Sequence, residues 1–463
     1  MNNYADTIAA ISTPPGKGGV AIIRISGHDA LKIGAEIFKP TSKRSFENAM
    51  PRMQIRGSIF MKDEEIDDGM ATFFKSPASY TGEDTVEIAC HGGALVTKLV
   101  LEAALRAGAR HAEAGEFTRR ALINGKLSLT GAEAISNLLE AESVEKIRLS
   151  SSRSRDLLNE KVMEIRNGLT SLLSSIYARI DYPDEDLGDY TDEEAFTELK
   201  RIKGLTNELS KTYKTGKAVS EGIKTVICGK PNVGKSSIYN LLLGKDAAIV
   251  TSIEGTTRDV LSDKIPLGRV LLHLSDTAGI RSKTNDPIEE IGIGRSKERI
   301  AESELVFAVF DSSRTLDSED DALIAELTSA QGAKIAIINK TDLPPLIDKD
   351  RIRRAFDTVV EISAETEKTS ARDEISALVD KLFTDGDIAV GETAIISSAR
   401  QNAALMRAID FIDSALSAYE MGLMQDVASS DVERALGAIA ELDGRAVSEE
   451  VVNDIFVKFC VGK

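Results

Sequence analysis

Gly229-Lys230-Pro231-Asn232-Val233-Gly234-Lys235-Ser236 has the spacing GxxxxGKS, and the chemistry of that spacing is phosphate binding. Glycines let backbone N–H groups curl around anionic oxygens. Lys235 reaches the β- and γ-phosphates, and the Ser236 hydroxyl takes magnesium. Asp276-Thr277-Ala278-Gly279 offers a carboxylate that holds magnesium through water and an amide, at Gly279, that feels the γ-phosphate. Asn339-Lys340-Thr341-Asp342 ends on a carboxylate able to accept from N1 and the 2-amino group of guanine, a donor pair that adenine lacks. Ser363-Ala364-Glu365 fits the loop behind the base. Between the first two strings lies Gly255-Thr256-Thr257-Arg258-Asp259, where Thr257 closes over magnesium when a γ-phosphate is present. The order of these strings predicts a GTP site. Its contacts are Asn232, Val233, Gly234, Lys235, Ser236 and Ser237, then Thr251, Ser252, Ile253, Glu254, Gly255, Thr256 and Thr257, then Asp276, Thr277, Ala278 and Gly279, and finally Asn339, Lys340, Thr341, Asp342, Ser363, Ala364 and Glu365.

Hydrolysis also needs an oriented water. Ras-like GTPases use a glutamine after the DTAG-type string, but Ile280 stands there and cannot serve. Asp286, Glu289 and Glu290 follow, and position alone does not choose among them. Arg258 and Arg281 are near, and spacing alone does not tell an arginine finger from an exposed charge at either position. A second chemistry is suggested by Phe459-Cys460-Val461-Gly462-Lys463, which sets a thiol and an ammonium on either side of a two-residue spacer. GTP hydrolysis requires neither group.

The elements that must carry these residues change character along the chain. Asp6–Thr13, Val20–Ser26, Met70–Phe74 and Thr85–Ala89 read as strands, and Leu95–Ala107 reads as a helix, giving a small α+β domain over 1–118. Over 119–218 the period becomes helical: Leu158, Val162, Ile165, Leu169, Leu172, Ile176 and Ile180 form one apolar stripe. Another helix is expected over Glu193–Tyr213. From 219 to 385 the apolar runs Lys224–Cys228, Val270–Ser275, Leu305–Asp311, Lys334–Ile338 and Thr358–Ile362 alternate with helices, as a doubly wound parallel sheet requires. Residues 386–463 are helical again, so the α/β domain reads as an insertion between two halves of a helical domain.

The chain has 463 residues, 42% of them hydrophobic, enough for several packed cores. Its net charge of −17 disfavours non-specific binding to nucleic acid. Cys90, Cys228 and Cys460 lie far apart, which argues for a reducing compartment and against a zinc site. Neither a signal peptide nor an apolar span is evident, so a cytoplasmic location is expected.

Taken together, Thr13–Gly27, Ser79–Gly93, Gly115–Leu129, Asp181–Asp186, the nucleotide motifs and the FCVGK string resemble the MnmE (TrmE) family over essentially the full length. The resemblance implies a homodimer joined through the N-terminal domain, which binds 5-formyl- or 5,10-methylene-tetrahydrofolate. It implies an FAD-containing MnmG (GidA) partner in a heterotetramer-type complex, and tRNA wobble uridine as the substrate. Potassium and pairing of G domains across the dimer would support hydrolysis. Carried over by position, the folate contacts fall on Arg24, Glu87, Lys126 and Lys463. The potassium ligands fall on Asn232, Thr251, Ile253 and Thr256, the catalytic carboxylate on Glu289, and a reactive thiol on Cys460. Two positions depart from the family pattern: Cys90 precedes His91-Gly92-Gly93 where glycine is frequent, and Glu365 replaces a basic residue. The competing reading is a GTP-dependent RNA or ribosome-assembly switch without folate chemistry.

Overall fold

The computed structural model describes residues 6–42, 45–181, 191–244, 262–275, 300–386, 388–421, 425–442, 444, 455–456, 459 and 461–462. Two compact units emerge: Met1–Ser136 with Asp443–Lys463, and Asn137–Leu442.

The first unit is built on a seven-stranded sheet from β1 (Ile8–Ile11), β2 (Ala21–Ser26), β3 (Phe38–Pro40), β4 (Gln54–Met61), β5 (Glu64–Phe74), β6 (Thr85–Cys90) and β7 (Arg110–His111), in the order β3-β4-β5-β6-β2-β1-β7. All pairs are antiparallel except β1 with β7. Strand alternation sends Ile23, Ile25, Val86 and Ile88 into one core, where α1 (Ala30–Ile37) and α2 (Ala94–Arg106) contribute Ile33, Ile37 and Val100. The other face is left to polar side chains, among them Arg24 and Glu87. Helix α3 (Glu116–Ile123) follows Gly115, whose φ of +68° side chains rarely adopt. Phe456 and Phe459 pack with Ala132, Leu122 and Ile135, the first two being 3% and 5% exposed. Ala132 and Ile135 lie on α4 (Leu129–Leu139).

The second unit contains α5 (Val144–Leu149), α6 (Ser152–Asp181), α7 (Asp192–Lys211) and α8 (Tyr213–Ser220). The expected stripe on α6 is buried from Leu158 to Ile176 against Leu199, Ile202, Leu405, Ile412 and Ile439. It stops there, for Ile180 is 39% exposed. A six-stranded sheet follows, made of β8 (Ile223–Cys228), β9 (Ser262–Leu267), β10 (Val270–Ser275), β11 (Leu305–Asp311), β12 (Ala333–Asn339) and β13 (Thr358–Glu361), in the order β13-β12-β11-β8-β10-β9. It is parallel except for edge strand β9. Helices α9 (Lys235–Leu243), α10 (Ser318–Ser329), α11 (Lys349–Ala355) and α12 (Lys368–Phe383) accompany it, and two apolar clusters line it. Helices α13 (Ala399–Glu420) and α14 (Gln425–Leu442) complete the bundle. The multidomain α+β and α/β architecture read from the sequence is therefore the one observed.

Candidate functional site

The end of β8 and the start of α9 bracket the GxxxxGKS loop. Gly229 (φ +145°) and Gly234 (φ +104°) are required on two counts: a Cβ at Gly229 would lie 2.5 Å from Val309 O, and one at Gly234 would lie 2.1 Å from Asn339 Nδ2. Asn232, at φ +64°, takes the left-handed bend between them. Lys235 Nζ donates to Gly229 O and Lys230 O, both at 2.8 Å, so its ammonium is held across the loop. Lys230 is taken up elsewhere, its Nζ meeting Asp317 and Glu319. Gly234 caps α9, whose exposed N–H groups and dipole favour an anion.

One side chain joins this loop to the base-reading motifs. Asn339, 2% exposed, donates from Nδ2 to Val233 O (3.0 Å) and accepts at Oδ1 from Ala364 N (3.1 Å). Lys340 donates to Asn232 O (2.8 Å) and to Asp311 Oδ2 (2.6 Å). Burial resists ionisation of Asp311, but donors from Lys340 and Ser313 outweigh it and hold the carboxyl below the usual range. Ser363 Oγ donates to Asp342 Oδ1 at 2.6 Å, which fixes the carboxylate that would read guanine. A cavity of about 680 Å³ lies alongside, with Ser237, Asn240, Ala364, Glu365 and Arg372 in its wall.

The structure thus gathers Asn232 to Ser237, Asn339 to Asp342 and Ser363 to Glu365 at neighbouring strand ends. Thr251, Ser252, Ile253, Glu254, Gly255, Thr256, Thr257, Asp276, Thr277, Ala278, Gly279, Ile280 and Glu289 lie outside the described residues, as do Arg258, Arg281, Asp286, Glu290, Cys460 and Lys463. Asp311 was not anticipated. The available signal was its position at a strand end, level with Asn339 in the β11–β12 register.

A second polar arrangement sits on the N-terminal sheet. Arg24 and Glu87 are register partners on β2 and β6, and the guanidinium reaches Glu87 Oε1 at 2.9 Å and 2.8 Å. The Tyr80 and Phe117 rings lie 5.2 Å and 5.6 Å from the Arg24 guanidinium carbon. Lys126 is exposed, with its stem against Gly82. The Val461–Gly462 backbone reaches the same sheet. Val461 bridges to Ala114, Ser12 Oγ donates to Gly462 O at 3.0 Å, and a Cβ at Gly462 would fall 2.1 Å from Ile11 O. β1 places Ala10, the register partner of Arg24, close by along the strand. Sequence reading also passed over a buried charge network. Arg120, 1% exposed, pairs with Asp6 (2.8 Å), Glu83 (3.2 Å) and Glu116 (2.9 Å), and Arg110 pairs with Asp6 and Glu116. Burial pushes the Cys90 thiol up to about 11 and the Cys228 thiol up to about 12, so both stay protonated and unreactive near neutrality.

Residues 7–126 match the model of the GTP-binding protein TrmE N-terminus, and residues 129–460 match that of the MnmE helical domain. The chain is 40% identical to the tRNA modification GTPase MnmE of Thermotoga maritima over 99% of this chain and 100% of that one. It is 37% identical to the protein of the same name from Clostridioides difficile, over 99% of each. Among solved structures, the translation elongation factor SelB of Methanococcus maripaludis, in complex with the GTP analogue GppNHp, aligns over 36% of this chain and 35% of that one. The identity is 18% and the TM-score 0.25. Two family models in succession and this identity from end to end make the chain a member of the MnmE family of tRNA modification GTPases.

Proposed function

We propose that this GTPase depends on potassium and works with an FAD-containing MnmG (GidA) partner. Together they add a carboxymethylaminomethyl or aminomethyl group to carbon 5 of the wobble uridine of certain tRNAs, drawing one carbon from a tetrahydrofolate. The supporting observation is that Val461 and Gly462 are seated on the same sheet as the Arg24–Glu87 pair, so the string carrying a thiol is tied to a unit that plain GTP hydrolysis would not need.

The residues present suit the expected ligands. Both Arg24 contacts go to Glu87 Oε1, which leaves Oε2 to accept from a pterin N–H, while Lys126 is exposed to meet a glutamate tail. The carbonyl of Asn232 is taken by Lys340, so its side-chain oxygen is the group to offer a monovalent cation. Such a cation, when bound, neutralises charge developing between the β- and γ-phosphates. Lys235 already stands over the loop, Ser236 at the start of α9 supplies the magnesium-binding hydroxyl, and Asp342 is oriented by Ser363. The proposed assembly is a homodimer.

Calorimetry of the full chain with reduced folates tests the folate half. Saturable binding, weakened at least about tenfold by Glu87→Gln, is expected. No heat with any reduced folate would sink it. The potassium half predicts faster GTP hydrolysis in potassium than in sodium at equal ionic strength, and equal rates would remove Asn232 from that role.

A further inference from the structure

The strands leading from and into the nucleotide-sensing segments carry a charged cluster that nucleotide chemistry does not use. In sequence, β9 follows Thr257 and β10 runs directly into Asp276. Lys264 on β9 and His273 on β10 are register partners. Lys264 Nζ meets Glu142 Oε1 at 3.1 Å, and Glu142 lies two residues before α5. On α5 itself, Lys146 is 7% exposed and feels Glu140, Glu142 and Glu221 as well as Lys264. His273 feels Lys264, Glu142, Lys146 and Glu304.

Two polar atoms of this cluster, Glu142 Oε2 and His273 Nε2, are buried without a hydrogen-bond partner among the described residues. Burial lowers the His273 pKa, so near pH 7 the ring is neutral with a single N–H. Gly222 fits against it because a Cβ there would lie 2.6 Å from Nε2. An acceptor and a prospective donor left unmade in one cluster are unstable relative to an arrangement that joins them. The surrounding elements already link the two sides. Helix α8 packs on both α5 and β10, and Tyr239 of α9 donates to Asp263, the β9 neighbour of Lys264.

We propose that Glu142 is a latch between residues 140–149 and the β9–β10 hairpin. It holds Lys264 in the arrangement described and gains His273 Nε2 when GTP replaces GDP, so that GTP turnover is felt in the helical part of the chain. The latch rests on the reading of this site as a GTP-hydrolysing one, and it supplies the differential contact that a nucleotide-driven shift requires.

Hydrogen exchange on the full chain tests it, with GDP and then with a non-hydrolysable GTP analogue, magnesium and potassium. Wild type is expected to show amide exchange at 144–149 differing by about threefold or more between the two states. Glu142→Gln and His273→Phe should each abolish that difference while fluorescent GDP still binds. The exchange Glu142→Lys with Lys264→Glu should restore an ion pair between positions 142 and 264 but not the difference. Bound nucleotide with no difference in wild type, or an undiminished difference in Glu142→Gln, overturns the latch alone. Failure of wild type to bind nucleotide overturns the reading beneath it.

Discussion

Asn339 does two jobs with one amide: its nitrogen secures the phosphate loop and its oxygen secures the loop behind the base. Truncation leaves the buried Val233 carbonyl and Ala364 amide without those partners, each costing about 1–3 kcal/mol. Asn339→Ala is therefore expected to weaken GDP binding by about tenfold to a hundredfold, read by fluorescent-nucleotide titration, with Tm lowered as well. For hydrolysis, Glu289→Ala should slow single-turnover GTP cleavage far more than it weakens GTP binding. A larger rate loss in Glu290→Ala would transfer the role to that residue. The nucleotide motifs were legible because phosphate and guanine chemistry fix both residue type and order. Asp311 was not, since an aspartate at a strand end has no string of its own and acquires its place only when Lys340 crosses from the next strand.

Among the elements, periodicity was most informative where burial is continuous. The parallel strands β8, β11 and β12 and the α6 stripe all stood out as apolar runs or heptad-like spacing. β9 escaped notice: it is an edge strand with Pro266 and charged residues at 263 and 264, which suit a position paired on one side only. β4 was hidden likewise by its mostly half-buried pattern. The Arg110–Arg120 network could not be read either, since Asp6, Glu83 and Glu116 are distant in sequence until β1, β7 and α3 bring them together. Its energetics carry a sign. Hydrogen bonding from Arg110 holds Asp6 below its ordinary 3.8. Burial raises Glu116, but Arg110, the Glu113 amide and Arg120 pull it below its ordinary 4.5. Groups depressed in the folded state contribute stability above their unfolded pKa and lose it as pH falls through the folded values. Tm should thus drop as pH falls below about 4.5, and Arg120→Ala, which leaves the 3%-exposed Glu116 with Arg110 as its remaining guanidinium partner, should cost about 1.5–3 kcal/mol at pH 7 in chemical denaturation.

At the scale of the whole molecule, charge bears on the partner. A net charge of −17 gives the phosphate backbone of tRNA little to bind. The chain alone is expected to hold tRNA only in the weak range, with Kd about 10⁻⁴–10⁻⁶ M at physiological salt, and the proposed MnmG-type partner, if it supplies counter-charge, should tighten it at least about tenfold. Retardation assays from low to high salt would check this, and equal affinity with and without the partner would count against it. No helix among the described residues is long and apolar enough to cross a membrane.

The seating of Phe456, Phe459 and Gly462 on the first unit also has a meaning in time. That unit is assembled from both ends of the sequence, with roughly 300 residues of the second unit made in between, so at ribosomal speeds of ~5–20 residues per second its last piece arrives some 15–60 s after its sheet has been synthesised. Through that interval Leu122, Ala132 and Ile135 lack their aromatic cover, a nascent apolar patch suited to transient chaperone capture. The same discontinuity means that a fragment ending at Ser136 is a poor stand-in for the folded unit, whereas one that splices residues 443–462 onto it restores the missing cover.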